Sequence, residues 1–249
     1  MIKKVLVTGA SGLCGSITSQ GLSKLGYKLT LCDIKKISSP AAKSLNISLN
    51  KKIKIIDLRN FSKVKKITKG MDAVVHFGGI PRHKPHEDVF QNIIDHNIIG
   101  TYNVFEACRV NKVKRIIFAS SAHIMGYHDR KKRLDDKSSF RPDSHYAVSK
   151  CFGESLSKLY SDKYNIKILN IRIGSALPKP TDMRFLSTWI SFRDLIQLVN
   201  VGLKSKKLYC SSVYGISKNK RAWWNNKEAY RLGYKPLDNA ENYSKDKLT

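Results

Sequence analysis

Hydrophobic and polar positions alternate along this chain in two rhythms. Short apolar runs read as strands buried on both faces: KKVLVT at 3 to 8, KLTLCD ending at Asp33, KIKIID ending at Asp57, DAVVHFGG at 72 to 79, RIIFASS ending at Ser121, and IKILNIRI to residue 173. Between them apolar residues recur at helical spacing. Ile17, Leu22 and Leu25 mark a first helix, closed by Gly26. The segment 87 to 112 carries Val89, Ile93, Ile94, Ile98, Val104, Phe105 and Cys108 at that spacing, and a central helix is expected over roughly 143 to 164. Strands alternating with helices predict an α/β fold, a doubly wound parallel sheet.

After residue 174 the rhythm changes. Pro178 and Pro180 mark a loop, and FLSTWIS is expected as a short strand. Ser191 can cap a helix running through Asp194 to about Leu203. LYCSSVYG reads as a last strand, Trp223-Trp224 opens a short amphipathic piece, and the tail from Asn239 looks polar and loose. The expected organisation is a nucleotide-binding portion, 1–175, with a small substrate-binding portion, 176–249, packed on it as one unit.

Two stretches carry chemistry. The first strand runs into TGASGLCG at 8 to 15, and a helix follows; strand, glycine turn and helix together suit a phosphate-binding turn. Gly9 makes the tight turn, Gly12 lets backbone approach a pyrophosphate, and Gly15 lets the helix pack on the strand. Asp33, at the end of the second strand, stands where a carboxylate meets the adenosine ribose and repels a 2′-phosphate, while Lys35 and Lys36 soften that preference. Asp57 either faces an adenine or caps the helix that begins near Asn60. Gly78-Gly79 leaves bare backbone at the end of the fourth strand. Asn97, on an otherwise apolar helical face, is a buried polar anchor or a satisfied core amide.

The second stretch is RPDSHYAVSKCFGE at 141 to 154. Tyr146 and Lys150 share a helix face there. A phenol beside an ammonium is an acid–base device, because the cation favours the phenolate and draws its pKa down.

Composition adds three limits. Hydrophobic content of 41% is ordinary for a globular protein, and no run approaches the ~20 apolar residues of a membrane span. The start, MIKKVLVTGAS, does not read as a secretion signal. Five scattered cysteines without a Cys-x-x-Cys pair argue for a reduced, cytoplasmic setting and against a zinc or disulfide framework. The net charge of +27 invites a nucleic-acid reading, but the basic residues are mostly lysines spread over the whole length, so no specific nucleic-acid partner is expected.

Taken together, TGASGLCG, Asp33, Asp57-Leu58, Gly78-Gly79, Ser121 and Tyr146-x-x-x-Lys150 resemble, in order and spacing, the extended short-chain dehydrogenase/reductase family, whose nucleotide domain is Rossmann-like. SSAHIMGYH, RPDSHYAVSKCFGE, IRIGSA, MRFLSTWISFRDL and AWWNNKEAYRLGYKPLDNAENY are similar to its NAD-dependent uronate dehydrogenase branch, and the likeness runs from residue 3 to about 243. The resemblance implies oxidation of a cyclic hexuronate at C1 to an aldarolactone, with Tyr146 as base, Lys150 beside it and Ser121 on the reacting oxygen. It puts NAD against Gly9, Ser11, Gly12, Leu13, Cys14, Gly15, Asp33, Asp57, Leu58, Phe77, Gly78, Gly79, Asn97, Ser120, Lys150 and Ile173. It puts the sugar acid against Ser121, His123, Tyr146, Ser175 and Arg184, with Arg184 on the C6 carboxylate. It implies a homo-oligomer and no metal.

Two positions depart from that pattern. Ala122 stands where the uronate enzymes carry Asn, and Pro81 where they carry Ser. Each loses a hydrogen bond to a sugar hydroxyl, with Arg82 or His83 placed to compensate, and the identity of the sugar stays open. Two alternatives remain: an epimerase, dehydratase or dehydrogenase of the same superfamily acting on another sugar, or a non-catalytic NAD-sensing or nucleic-acid-binding protein.

Overall fold

The structure, a computed structural model, describes residues 2–35, 52–81 and 90–244. Lys36, Arg82, His83 and Val89, named above, lie outside the described residues. The strands are β1 (Lys4–Thr8), β2 (Lys28–Asp33), β3 (Lys54–Ile55), β4 (Ala73–His76), β5 (Arg115–Ser121), β6 (Lys167–Ile173), β7 (Ser175–Ala176), β8 (Trp189–Ile190) and β9 (Cys210–Gly215). Seven of them form one parallel sheet in the order β3-β2-β1-β4-β5-β6-β9. β7 and β8 pair separately. The main helices are α1 (Leu13–Lys24), α2 (Phe61–Thr68), α3 (Gly100–Val110), α4 (His145–Tyr164), α5 (Phe192–Lys204) and α6 (Lys227–Leu232).

Period-two alternation sorts the core into two layers. Val5, Val7, Ile117 and Leu169 pack on the side of Leu22 in α1, Leu195 and Leu198 in α5 and Ala229 in α6. Leu6, Ile116, Phe118 and Ile168 pack on the other side, against Val64, Phe105, Leu156 and Tyr160 from α2, α3 and α4. The sheet is thus covered on both faces, as its unbroken apolar runs require. Strand order reverses between β1 and β4, and a crevice at their carboxyl ends is where such sheets bind ligands.

Several elements differ from the sequence reading. The third strand shrinks to Lys54–Ile55, because the chain turns at once into the Asp57–Arg59 pair. FLSTWIS is a helical turn, Phe185–Thr188, followed by β8. Asp182 explains the turn: its carboxylate accepts from Arg184 N at 2.6 Å and its carbonyl from Phe185 N. The long helical segment includes a π-helical stretch, Ile94–Ile99, before α3. The end of the chain is less loose than its polarity suggests. Ala240 is fully buried, Tyr243 sits edge-on to Trp189 at 5.5 Å, and Arg221 pairs with Glu241. β9, from the portion set apart as substrate-binding, joins the main sheet beside β6.

Candidate active site

The glycine turn is built from backbone pressed on backbone. Gly9 adopts φ +67°, and a Cβ there would stand 2.6 Å from Gly78 N. A Cβ on Gly15 would stand 2.1 Å from Gly9 O, so α1 packs on the turn only through glycine. Gly12 is the N-cap of α1 and brings no side-chain cap, which leaves the first N–H groups of the helix for an anion.

Beside this turn lies a cleft of about 690 Å³. Of the expected cofactor residues, Gly9, Ser11, Gly12, Asp33, Asp57, Leu58, Phe77, Gly78 and Gly79 line it. The Asp33 carboxylate accepts from Ser11 N at 2.9 Å and Ile34 N at 2.7 Å, so it pins the turn as well as facing the cleft. Asp57 does not cap the next helix; Asn60 does, accepting from Lys63 N. Asp57 instead pairs with Arg59, whose hydrogen bonds hold the carboxyl below its ordinary pKa. An elongated cleft with a bare-backbone floor, free helix N–H groups at one point and a carboxylate at the next fits a dinucleotide.

Leu13, Cys14 and Gly15 form the start of α1, beside the cleft rather than on its lining. Ile173 lines a second, smaller cavity instead. The Ser120 hydroxyl donates to Glu154 Oε1 at 2.6 Å, on the same helix as Tyr146 and Lys150. Asn97 is a satisfied amide: its Oδ1 accepts from Ile80 N, and its Nδ2 donates to Ile80 O and Ser149 Oγ. It buttresses the Gly79-Ile80 backbone. Sequence reading missed His96, one residue before it, which lines the cleft.

The catalytic candidates do converge. Ser144 caps α4 by accepting from Ala147 N at 3.3 Å, and so sets the helix that carries Tyr146 and Lys150. The Tyr146 phenol and the Ser121 hydroxyl come near enough for Ser121 to favour the phenolate, although Ser121 comes from the end of β5. Lys150 is 5% exposed, with Nζ 5.5 Å from the centre of the Tyr146 ring and 5.1 Å from that of Phe118.

The pKa of Tyr146 runs against expectation. Burial of the phenol dominates and pushes it up to about 12, the Ser121 hydrogen bond opposing. Burial likewise draws Lys150 down to about 8. Desolvation of both groups outweighs the help one charge would give the other. Behind them His76 is wholly buried between Thr8 Oγ1 and Thr101 Oγ1, and burial with the nearby Lys150 charge lowers it to about 3.

The second cavity, about 130 Å³, holds His123, Ser175 and Arg184 from the expected set. The His123 ring stands edge-on to Tyr146 at 6.4 Å, and its Nδ1 lies 2.7 Å from Asp143 Oδ2. Ser175 shares a hydrogen bond with Thr188 at 2.9 Å. Arg184 is exposed, its guanidinium 5.1 Å from the Phe185 ring centre, and no carboxylate pairs with it among the described residues. Ala122 is part of the lining, whereas Pro81 lies in the larger cleft. Sequence reading missed Asp143, His128, Arg130, Thr188, Trp223 and Trp224 here. Asp143 stands inside RPDSHY, three residues before Tyr146, and a carboxylate facing a strand-end histidine was the signal available.

Among the described residues no helix is long and apolar enough to cross a membrane, and no group of His, Cys, Asp and Glu is placed to hold a metal ion.

The chain is similar to known proteins over most of its length. The sequence profile of the NAD dependent epimerase/dehydratase family matches residues 5–193. A uronate dehydrogenase of Pseudomonas putida is 39% identical over 240 residues, spanning 96% of this chain and 86% of that protein. The crystal structure of a glucuronic acid dehydrogenase from Chromohalobacter salexigens superposes with a TM-score of 0.89 at 39% identity, over 99% of this chain and 88% of that one. A mutant uronate dehydrogenase from Agrobacterium tumefaciens, complexed with NAD, gives 0.87 at 38% identity, over 98% and 88%.

Proposed function

The chain belongs to the NAD-dependent epimerase/dehydratase family, and on that premise we propose that it is an NAD-dependent sugar-acid dehydrogenase that oxidises a cyclic hexuronate at C1 to the aldarolactone. The likeness to a P. putida uronate dehydrogenase and to an A. tumefaciens uronate dehydrogenase complexed with NAD supports the reaction class and the cofactor. The observation that carries the finer reading is the approach of Ser121 to the Tyr146 phenol beside a cavity where Arg184 has no carboxylate partner among the described residues.

In this reading Tyr146, as phenolate, takes the proton from the C1 hydroxyl. Ser121 donates a hydrogen bond to the same oxygen and steadies its charge as the C–H bond breaks. Lys150 stands 5.5 Å from the phenol ring and favours its ionised form. The Arg184 fork pairs both oxygens of the C6 carboxylate, and His123 and Ser175 meet ring hydroxyls. The residues lining the larger cleft would hold NAD, the uncapped α1 N-terminus being suited to its pyrophosphate and Asp33 to its adenosine ribose. The chemistry NAD supplies when bound is acceptance of a hydride and a positive ring charge near the phenol. The C1–H bond gives its electron pair as hydride, the C1 hydroxyl gives its proton to Tyr146, and the C1–O bond becomes the carbonyl of a lactone in the ring that was already closed.

The test is NADH production over a panel of hexuronates and the matching neutral aldoses. Turnover of a hexuronate well above its neutral partner is expected. Equal turnover of both removes the sugar-acid reading, and no turnover of any sugar removes the dehydrogenase. Exposed Tyr102, Val148 and Leu159 on α3 and α4 support self-association, which sedimentation tests.

A further inference from the structure

Asp143 is tied to His123 at two points. Its N–H donates to the His123 carbonyl at 3.3 Å, and its Oδ2 lies 2.7 Å from His123 Nδ1. A glycine makes room for this carboxylate: a Cβ on Gly126 would stand 2.4 Å from Oδ2. The other oxygen, Oδ1, accepts from Ser144 Oγ at 2.9 Å, while Ser144 Oγ itself accepts from Ala147 N as the cap of α4. The carboxylate is thus held from behind by the helix that carries Tyr146, and it faces the imidazole with one oxygen.

The far nitrogen of that imidazole is open. The His123 side chain is 34% exposed and lines the smaller cavity. Its Nε2 has no hydrogen-bond partner among the described residues, yet it is not one of their buried unpartnered atoms, so solvent reaches it. Around it the polar side chains of the cavity are donors or already engaged. Arg130 and Arg184 can only donate, and Ser175 and Thr188 bond each other. A sugar hydroxyl needs an acceptor for its hydrogen as well as a donor for its oxygen, and that lone pair falls to an imidazole.

We propose that Asp143 is a positioning residue: its carboxylate keeps the proton of the neutral His123 ring on Nδ1, which leaves Nε2 as a lone pair that accepts a hydrogen bond from a sugar hydroxyl. This rests on the functional reading above. Which ring nitrogen carries the proton is set by the hydrogen bond that the other end of the ring makes, and a carboxylate can only accept. With the proton on Nε2 instead, the ring would turn a donor on the hydroxyl hydrogen and leave Nδ1 facing Oδ2 lone pair to lone pair.

The test reads the proton directly. Isotope-labelled imidazole nitrogens give distinct resonances for N–H and for bare nitrogen, and the His123→Phe protein identifies those of His123 among the chain's seven histidines. In alkaline buffer, where an imidazole is neutral, the wild type is expected to carry the proton on Nδ1. A proton on Nε2 overturns the proposal, whether or not any variant folds. Asp143→Asn is expected to move the proton to Nε2, because the Ser144 hydroxyl keeps the amide oxygen and the amide nitrogen then faces Nδ1 as a donor. Asp143→Ala removes the acceptor altogether, and a proton kept on Nδ1 in both variants overturns the proposal.

Kinetics give a second readout. Asp143→Asn is expected to raise KM for a hexuronate about tenfold, the weight of one hydrogen bond, with kcat and the calorimetric NAD affinity changing little. In the His123→Phe background the same change is expected to add little, since no ring nitrogen is left to set. An equal effect in that background assigns Asp143 a role apart from His123 and overturns the proposal. A wild type that turns over no hexuronate overturns the functional reading, and the part of the sugar hydroxyl with it; hexuronate turnover with the proton on Nε2 overturns this inference alone.

Discussion

Ser121 and Tyr146 are neighbours in the fold, one from the end of a strand and the other from the first turn of a helix, and the serine hydroxyl favours the phenolate. Ser144, capping that helix, donates to Asp143, which also faces His123. A single short segment therefore aims the phenol, the histidine and the helix together.

Removing the phenol oxygen is the sharpest change available. Tyr146→Phe is expected to abolish NADH production and to leave NAD binding, read by calorimetry, nearly intact. Ser121→Ala is expected to lower kcat by about 10²-fold, as loss of one donor to a developing oxyanion does. Retained turnover in Tyr146→Phe removes the phenol from its role.

Arg184→Ala separates charge from shape. With no carboxylate partner among the described residues, its loss leaves nothing unpaired in the free protein. KM for a hexuronate is expected to rise by roughly 10- to 100-fold, the weight of a charge-assisted bond, with little change for the matching neutral sugar. Equal effects on the two sugars exclude Arg184 as the carboxylate reader.

Lys150 sets function against stability. Its ordinary pKa of 10.5 falls to about 8 in the fold. Between those values the unfolded chain holds more protons, so stability rises with pH across that window. Below it, keeping the ammonium buried costs about 3 kcal/mol. Lys150→Met is therefore expected to raise thermal stability near pH 7, to lose that advantage by pH 10.5, and to be nearly inactive. Melting curves at several pH values check the first two, and an NADH assay the third.

His76 works at the opposite end of the scale. Its pKa falls from 6.5 to about 3 because the ring is buried beside Lys150. Below pH 6.5 the unfolded chain takes up the proton first, so stability falls with decreasing pH until about 3, by up to about 5 kcal/mol. His76→Gln is expected to start less stable, since two threonine hydrogen bonds are disturbed, and to show a flatter acid profile. Parallel acid profiles for the two proteins assign the loss to other groups.

The turn from Gly9 to Gly15, Asp33 and the Tyr146–Lys150 pair were legible because backbone geometry and helical spacing leave marks on a sequence. The Ser120–Glu154 bond was not, because a partner 34 residues away leaves no local mark. Asn97 was read both ways, and only the Ile80 backbone decides between them. The direction of the Tyr146 shift was missed because helical spacing reveals the nearby cation but not how little water reaches the phenol. Trp223 and Trp224 were visible as a pair, yet the cavity they line is assembled from four distant segments.

Arg172 lies within the sheet, paired with Glu154, and its guanidinium reaches the carbonyls of Asp135 and Asp136. Those contacts moor the loop that carries Arg130 at its far end only. The other end of that loop is shaped by its own turn, Lys131 N and Lys132 N both donating back to Asp129, so its two ends are fixed by separate means.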